Sequence, residues 1–363
     1  MAIQFVNVTV DTSALYQVQA RDFGTVAIVG TAVVSGSSTT PVRLGNYAEV
    51  DALYPTDSEL SIGVKNAFAN GASSVYAVNL GATKNLNAVE TALAELVNID
   101  VQIVALAATP ETDAIAYISD ALAAHVDAAG TERVGVFALD QDEDADTAPT
   151  AITNMLAANK TRMFGVAHKS ASDVAPSVAG LLASIKQWES PILKSTSNIV
   201  QTSQFTTAQI SSLDTAQLNP IIDPLYLTGT GYVLGTDYTL GTVAGGIYRV
   251  DVRRTLDDIT YKLKAGLTNP TVIGNIRISK TGLSVLNGKM GAILQTAVNA
   301  GEIESYTINI PVMLALIKDV NSRSDAENLL ITTARTTSTV DTTVSVEYSG
   351  TTRTINVELK FTA

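Results

Sequence analysis

The sequence contains no cysteine and has only two histidines and one tryptophan among 363 residues. The lack of cysteine excludes disulfide frameworks, thiolate zinc sites and cysteine nucleophiles. The two histidines, His125 and His168, have no third histidine to complete a metal set, and neither lies in an HExxH motif. We interpret both as ordinary, partly exposed side chains, and we predict no metal site and no cofactor.

Charge is also scarce. Charged residues make up 16% of the chain, against about 25% in an average soluble protein. A surface with little charge often contacts other protein, because charges are costly to bury; a general solubility compromise is the alternative. The net charge of −12 and the lack of a long basic run exclude nucleic acid as an expected partner.

Long apolar runs and a leader pattern are missing as well. Residues 1–13 have no basic region, no apolar region and no small-residue cleavage site. The longest apolar candidate, residues 308–317, is interrupted by Asn309 and Pro311 and falls short of the ~18–20 residues of a membrane span. We expect no membrane insertion and folding in a cytoplasm, so that the protein would reach the outside only through lysis or particle release.

What the sequence does contain is an alternation of apolar strands and amphipathic helices over residues 24–169. The run at 101–108 is apolar throughout, which is typical of a sheet covered on both faces. This order predicts an open α/β domain with a largely parallel sheet. Residues 195–245 are rich in Thr, Gly and Pro, and we predict strands and loops that close this domain.

A second, α+β pattern begins near Tyr248. It predicts helices over 252–266 and 286–298, and strands over 272–279 and 303–310. A bent strand is predicted to run on to Val320, followed by a polar stretch and a strand over 342–348.

Both ends of the chain are amphipathic strands with a period of two. Their apolar faces consist of Val6, Val8 and Val10 at the start and of Ile355, Val357, Leu359 and Phe361 at the end.

Three motifs resemble ligand-binding loops, but each lacks a residue, a spacing or a flanking element that such a loop requires. The acidic run at 140–146 resembles a calcium loop, yet Ala145 and Ala151 stand where that loop needs Gly and Glu. The glycines of 228–235 have no strand before them and no helix directly after them, as a dinucleotide loop requires. Residues 282–290 have one residue too many between their glycines to match a phosphate-binding loop. We therefore predict no catalytic residues and no enzyme activity.

Residues 247–263, IYRVDVRRTLDDITYKL, resemble the conserved C-terminal region of contractile tail sheath proteins, a family of myophage tails, R-type bacteriocins and related injection systems. The matching positions are Arg253, Arg254, Leu256, Asp258 and Ile259. Upstream, 231–239 is similar to the family's G-x-x-x-W-G-x-R-T, with Leu234 in place of Trp and Asp237 in place of Arg. Residues 24–55 and 60–81 resemble the family's N-terminal strands, helix and turns.

The resemblance implies a structural subunit that polymerises around an inner tube and contracts to drive that tube through a target envelope. The implied partners are other copies of the chain, the tube protein, and baseplate and tail terminator proteins. The implied organisation is an N-terminal arm (1–20), an α/β outer domain (21–246), an inner domain (247–350) and a C-terminal arm (351–363). The two arms would add their strands to a small sheet of neighbouring subunits, with the apolar residues of both faces as anchors.

Three questions stay open at this point. Lys280 and Lys289 are candidates for contact with a tube of opposite charge, and simple solvation is the alternative. Another self-assembling shell protein, or a nucleotide-binding α/β enzyme, is the alternative to a sheath subunit. The sequence does not distinguish a virus tail from a bacteriocin or a cellular injection system.

Overall fold

The structure is a computed structural model, and it describes residues 24–34, 39–107, 117–128, 130, 132–139, 150–227, 229 and 231–353. These residues form two compact units. The first, called the sheet unit, consists of residues 24–258 and 348–353; the second, called the small unit, consists of residues 259–347. The predicted class, an α/β domain followed by an α+β domain, is confirmed.

The sheet unit contains one eight-stranded sheet of order β2-β3-β1-β4-β5-β6-β7-β8. The strands are β1 (Thr25–Gly30), β2 (Val42–Leu44), β3 (Ser74–Asn79), β4 (Ile103–Leu106), β5 (Val134–Ala138), β6 (Met163–Ala167), β7 (Asn219–Ile222) and β8 (Val233–Leu234). All pairs from β3 to β7 are parallel, and the two edge pairs are antiparallel. The predicted, largely parallel sheet is therefore confirmed.

Helices cover both faces of this sheet. They are α1 (Tyr47–Leu53), α2 (Glu59–Ala69), α3 (Leu86–Glu95), α4 (Ala123–Asp127), α5 (Thr150–Ala157), α6 (Val174–Ser184) and α7 (Thr207–Thr215), with a π-helical turn over Tyr117–Leu122. One hydrophobic cluster lies between the sheet and helices α2 and α6, and a second lies on the opposite face under α3, α5 and α7. Every residue of β1, β4, β5 and β6 is buried, because both faces are covered.

Helices α2 and α6 approach each other closely at Gly180. A β-carbon at this position would lie 2.2 Å from the carbonyl oxygen of Ala67, so only glycine allows the two helices to pack at this distance. Helix α7 falls in the stretch 195–245, for which only strands and loops are predicted; that prediction is wrong there. A capping box of Thr206 and Gln209 begins the helix.

The small unit is built from helices and two strands. Its elements are α8 (Val250–Leu267), which begins in the sheet unit, α9 (Lys280–Asn299), β9 (Ile303–Asn309), α10 (Pro311–Ile317), α11 (Asp325–Thr337) and β10 (Thr343–Tyr348). Its two hydrophobic clusters are small, and one of them joins α8 and α9 to β9 and β10.

Two strand predictions in the small unit are wrong. Residues 272–279 form turns and bends, and α9 begins directly after them with Ser279 as its N-cap, whose hydroxyl accepts from Gly282 N at 3.1 Å. The bent strand predicted up to Val320 is instead helix α10. Its Pro311 lies in the first turn, where the missing N–H has no helical partner to lose.

The polar stretch before the last described strand is also helical. Helix α11 begins at a capping box, in which Ser324 and Glu327 satisfy each other's backbone N–H groups at 2.9 and 3.2 Å. Only Ile331 and Ala334 of this helix are buried, so its apolar face is too narrow to be detected by periodicity.

Candidate functional site

Strands β9 and β10 form a two-stranded sheet and, within the described residues, pair with no third strand. One face packs on α8 and α9 through Tyr306, Ile308 and Val344. An isolated two-stranded sheet is marginally stable, and its outer edges present unpaired N–H and C=O groups. This sheet is therefore a surface on which another extended segment can add a strand.

A buried charge cluster lies in the sheet unit and holds the last described residues. Asp237 and Asp251 both have 0% of their surface exposed. The guanidinium of Arg353 joins them, because its Nε donates to Asp237 at 2.9 Å and its Nη2 donates to Asp251 at 2.6 Å. Arg353 also donates to the carbonyl oxygen of Thr351 at 3.2 Å.

Further donors saturate both carboxylates. Tyr348 and Thr351 each donate a hydroxyl to Oδ2 of Asp251 at 2.8 Å. Asp237 accepts from Ser190 at 2.7 Å and forms an ion pair with Arg249. We call this set the Asp237–Asp251 cluster; it consists of Ser190, Asp237, Arg249, Asp251, Tyr348, Thr351 and Arg353. Its two carboxylates and two guanidiniums balance in charge.

Backbone hydrogen bonds already hold Asp237 and Asp251 near each other. Tyr238 forms an antiparallel bridge with Arg249, and Val250 N donates to the carbonyl oxygen of Asp237 at 3.0 Å. Helix α8 begins at Val250, so Asp251 lies in its first turn, where the helix dipole favours negative charge. Its Oδ1 accepts from Val252 N at 2.9 Å.

The environment fixes the protonation of the donors. Burial opposes the charge of Arg249, but the carboxylate of Asp237 outweighs that effect and raises the pKa of the guanidinium. The same guanidinium lies 4.1 Å from the ring centre of Tyr238. Burial and then the negative charge of Asp251 raise the pKa of Tyr348. The Tyr348 hydroxyl therefore stays protonated and remains a donor to Asp251.

The arginines of the sheath-like motif also form internal contacts of the sheet unit. Arg253 and Arg162 both pair with Asp257, at 3.1 Å from Arg253 Nε and 2.9 Å from Arg162 Nη2. Arg254 is buried and donates to the carbonyl oxygen of Ile185, just beyond helix α6, at 3.1 Å. Burial lowers the pKa of Arg254 to about 10, so it remains charged at neutral pH. Both arginines thus stabilise the start of α8.

The predicted arm residues lie outside the described part of the chain. They are Val6, Val8, Val10, Ile355, Val357, Leu359 and Phe361, and the acidic run 140–146 lies outside it too. Lys280 is exposed at the start of α9. Lys289 is half-buried and donates to Thr271 at 2.9 Å, so its charge already serves a contact within the small unit.

The two histidines are buried, and the prediction that they are partly exposed is wrong. Nη1 of Arg133 lies 2.8 Å from Nε2 of His125, which must accept because a guanidinium only donates. Burial and then Arg133 lower the pKa of His125 to about 4. His168 accepts from Ser170 N at 3.2 Å. Over the described residues, no cluster of three or more His, Asp or Glu side chains could hold a metal ion.

None of the described helices is long and apolar enough to cross a bilayer.

Sequence reasoning does not predict the Asp237–Asp251 cluster, although both of its carboxylates lie in the motifs that resemble the sheath family. Asp237 lies in the motif at 231–239, and Asp251 lies within the motif at 247–263. Arg353 has no such signal, because it is 116 residues from Asp237 and 102 from Asp251. Only its position at the start of the predicted last strand could have pointed to it.

Comparisons with known proteins give matches in structure. No family model and no curated protein matches the sequence. The chain is similar to the anti-feeding prophage helical sheath in its contracted state, with a TM-score of 0.68, 15% identity and 99% of each chain covered. A sheath tail protein from Desulfitobacterium hafniense has a TM-score of 0.63 and 13% identity, over 84% of this chain and 93% of that one.

A sheath tail protein from Listeria innocua has a TM-score of 0.60 and 10% identity, over 79% of this chain and 88% of that one. At these identities the matches establish the fold, and this chain has the fold of contractile tail sheath proteins. The sheath-like resemblance of the sequence is confirmed at that level.

Proposed function

We propose that this sheath-fold chain is a structural subunit of a contractile sheath, which polymerises as a helical lattice around an inner tube and contracts to drive that tube through a target envelope. The observation that carries the proposal is the match over 99% of both chains to a contracted helical sheath. A match of this extent includes the small unit as well as the sheet unit. The chain acts through contacts and not through catalysis.

The two-stranded sheet is the proposed point of polymerisation. Strands of neighbouring subunits, from segments 1–20 and 351–363, add to β9 and β10, so that backbone hydrogen bonds provide adhesion and alternate side chains fix the register. Each bond contributes about 0.5–1.5 kcal/mol, and apolar anchors such as Val8 and Val357 add to it. These bonds hold subunits together while their bodies move during contraction.

The other partners follow from the same assembly. The inner tube protein contacts the small unit, and Lys280 is the better tube-facing candidate, because Lys289 already has an internal partner. Baseplate and tail terminator proteins bind the ends of the lattice; one matching chain belongs to the anti-feeding prophage baseplate structure, with 15% identity and a TM-score of 0.68. Assembly takes place in the host cytoplasm, and the product is part of a tail or of a released contractile particle.

Negative-stain microscopy of the purified protein tests the proposal. We expect hollow tubes from the full chain and dispersed subunits from a variant that lacks residues 1–12. Closed shells or flat lattices from the full chain would instead support another kind of shell protein. Normal tubes from the deletion variant would contradict the proposed role of the N-terminal arm. Circular dichroism of the deletion variant is the control for folding.

A further inference from the structure

We propose that Arg353 is a positioning residue for the C-terminal arm. With Tyr348 and Thr351 it fixes the root segment, defined as residues 348–353, to two buried carboxylates of the sheet unit. The C-terminal arm therefore starts from a point that is fixed to the sheet unit. This inference rests on the proposed function in one respect, namely that the arm pairs with a neighbouring subunit.

Three side chains of the root segment converge on one oxygen atom. Oδ2 of Asp251 accepts from Tyr348 and Thr351 at 2.8 Å and from Arg353 at 2.6 Å. Residues 349–353 lie in no helix or strand. Side-chain hydrogen bonds to Asp251 and Asp237 are therefore what orders this segment.

Gly350 makes the convergence possible. Its φ of +68° is in the left-handed region, which favours glycine. The turn at Gly350 lets Tyr348 and Thr351, on either side of it, direct their hydroxyls to the same carboxylate. The conformation of the root segment is thus set by its own sequence and by Asp251 together.

The guanidinium is suited to this role because it is planar and has several donors. Arg353 reaches Asp237 with Nε and Asp251 with Nη2, so one rigid group fixes the segment to two buried carboxylates. A lysine ammonium has no such fork and would reach both carboxylates less precisely.

A fixed root has two consequences for assembly. An arm that starts from a fixed point samples fewer conformations, so less entropy is lost when it pairs with a neighbour. When neighbouring subunits move, tension in the arm passes through Arg353 to carboxylates buried in the sheet unit. The arm thereby pulls on the eight-stranded sheet and not on a loose loop.

The test compares three variants of the full chain. Arg353→Met removes the anchor and leaves a buried carboxylate without its partner. Arg353→Met combined with Asp251→Asn removes both charges, so the charge balance of the cluster is restored without the anchor. Arg162→Met removes one of the two guanidiniums paired with the buried Asp257, while Arg253 remains there, and it does not involve the root segment. Arg162→Met is therefore the control for the loss of an ion pair elsewhere in the sheet unit.

Backbone order of residues 348–353 is measured by NMR relaxation in subunits below the concentration at which they sediment as polymers. Tube yield is measured above it by sedimentation and microscopy. We expect Arg353→Met to lower the order parameters of this segment from about 0.85 to below about 0.6 and to reduce tube yield. The double variant should regain thermal stability but neither the backbone order nor the tubes. Arg162→Met should lose stability and keep both, and Arg353→Lys should be intermediate.

Two outcomes would overturn the proposal: unchanged order parameters in both variants that lack Arg353, or recovery of tubes in the double variant together with stability. The second would mean that Arg353 contributes stability alone. Failure of the unaltered chain to form tubes would contradict the proposed function, while the relaxation data would still decide whether Arg353 holds the root segment. If Arg353→Met does not fold, the double variant supplies the same comparison.

Discussion

The two units of the chain use their strands in opposite ways. In the sheet unit, β1, β4, β5 and β6 are buried at every residue and have neighbours on both sides. In the small unit, β9 and β10 are largely exposed and each has one neighbour among the described strands. The buried strands of the sheet unit are therefore paired on both sides, whereas both strands of the small unit are edges to which another chain can add a strand. Stability and assembly are separated between them.

The largest effect is expected from a substitution in the core of the sheet unit. Phe164 is fully buried, and Phe164→Ala should lower the free energy of unfolding by about 3–5 kcal/mol through lost burial and a cavity. Denaturant unfolding followed by circular dichroism measures this change. In the small unit, Leu329 is 67% exposed, and Leu329→Ala should change stability by less than about 0.5 kcal/mol. Similar losses in the two variants would contradict the contrast.

A second prediction concerns acid, which should affect the sheet unit, where both histidines lie. The pKa of His125 is about 4 in the folded state and about 6.5 in the unfolded state. Its stabilisation is fully present above pH 6.5 and is lost as the pH falls towards 4, because the unfolded state then binds the additional proton. The expected loss is roughly 1–3 kcal/mol.

Fluorescence of Trp188, the single tryptophan, follows unfolding of the sheet unit. His125→Gln keeps an acceptor for Arg133 and does not titrate, so this variant should lose less stability between pH 7 and pH 4.5. Equal acid sensitivity in the two proteins would show that another group is responsible.

The smallest expected effect on stability falls on β10, where the effect on assembly should be large. Val346 is 38% exposed, so the ammonium of Val346→Lys can reach solvent and the change should cost the subunit about 1 kcal/mol or less. A lysine there should still prevent tubes, since edge-strand charges oppose the addition of apolar strands. Ser345→Lys, one residue earlier on the other face, is the control and should assemble better. Equal tube yields from the two variants would weaken the role given to this sheet.

The buried strands could be predicted from sequence, but two helices of the small unit, α10 and α11, could not. An apolar run such as Ile103–Leu106 is unambiguous, because a parallel strand covered on both faces needs apolar residues at every position. Residues up to Val320 are predicted as a bent strand, although Pro311 is well suited to the first turn of a helix. Helix α11 has its capping box at Ser324 and Glu327, yet it buries too few side chains to show a clear period.

The candidate site was predictable only where it is local. The motif at 247–263 identifies Arg253 and Arg254, and both prove to be held by buried partners in the sheet unit. The link from Asp237 and Asp251 to Arg353 joins residues more than a hundred positions apart, and no spacing rule reaches that far. Asp237 differs from the arginine of the family motif, but its partner Arg353 is evident only from the fold.

The separation of Arg353 from Asp251 also matters while the protein is being made. At about 5–20 residues per second, the ribosome takes roughly 5–20 s to add the 102 positions between them. During that time the nascent sheet unit contains a carboxylate whose positive partner does not yet exist. A translation product that stops before residue 353 keeps that unbalanced charge permanently. Such a product should be less stable and therefore unfolded more often, so that proteases remove it before it can join a lattice.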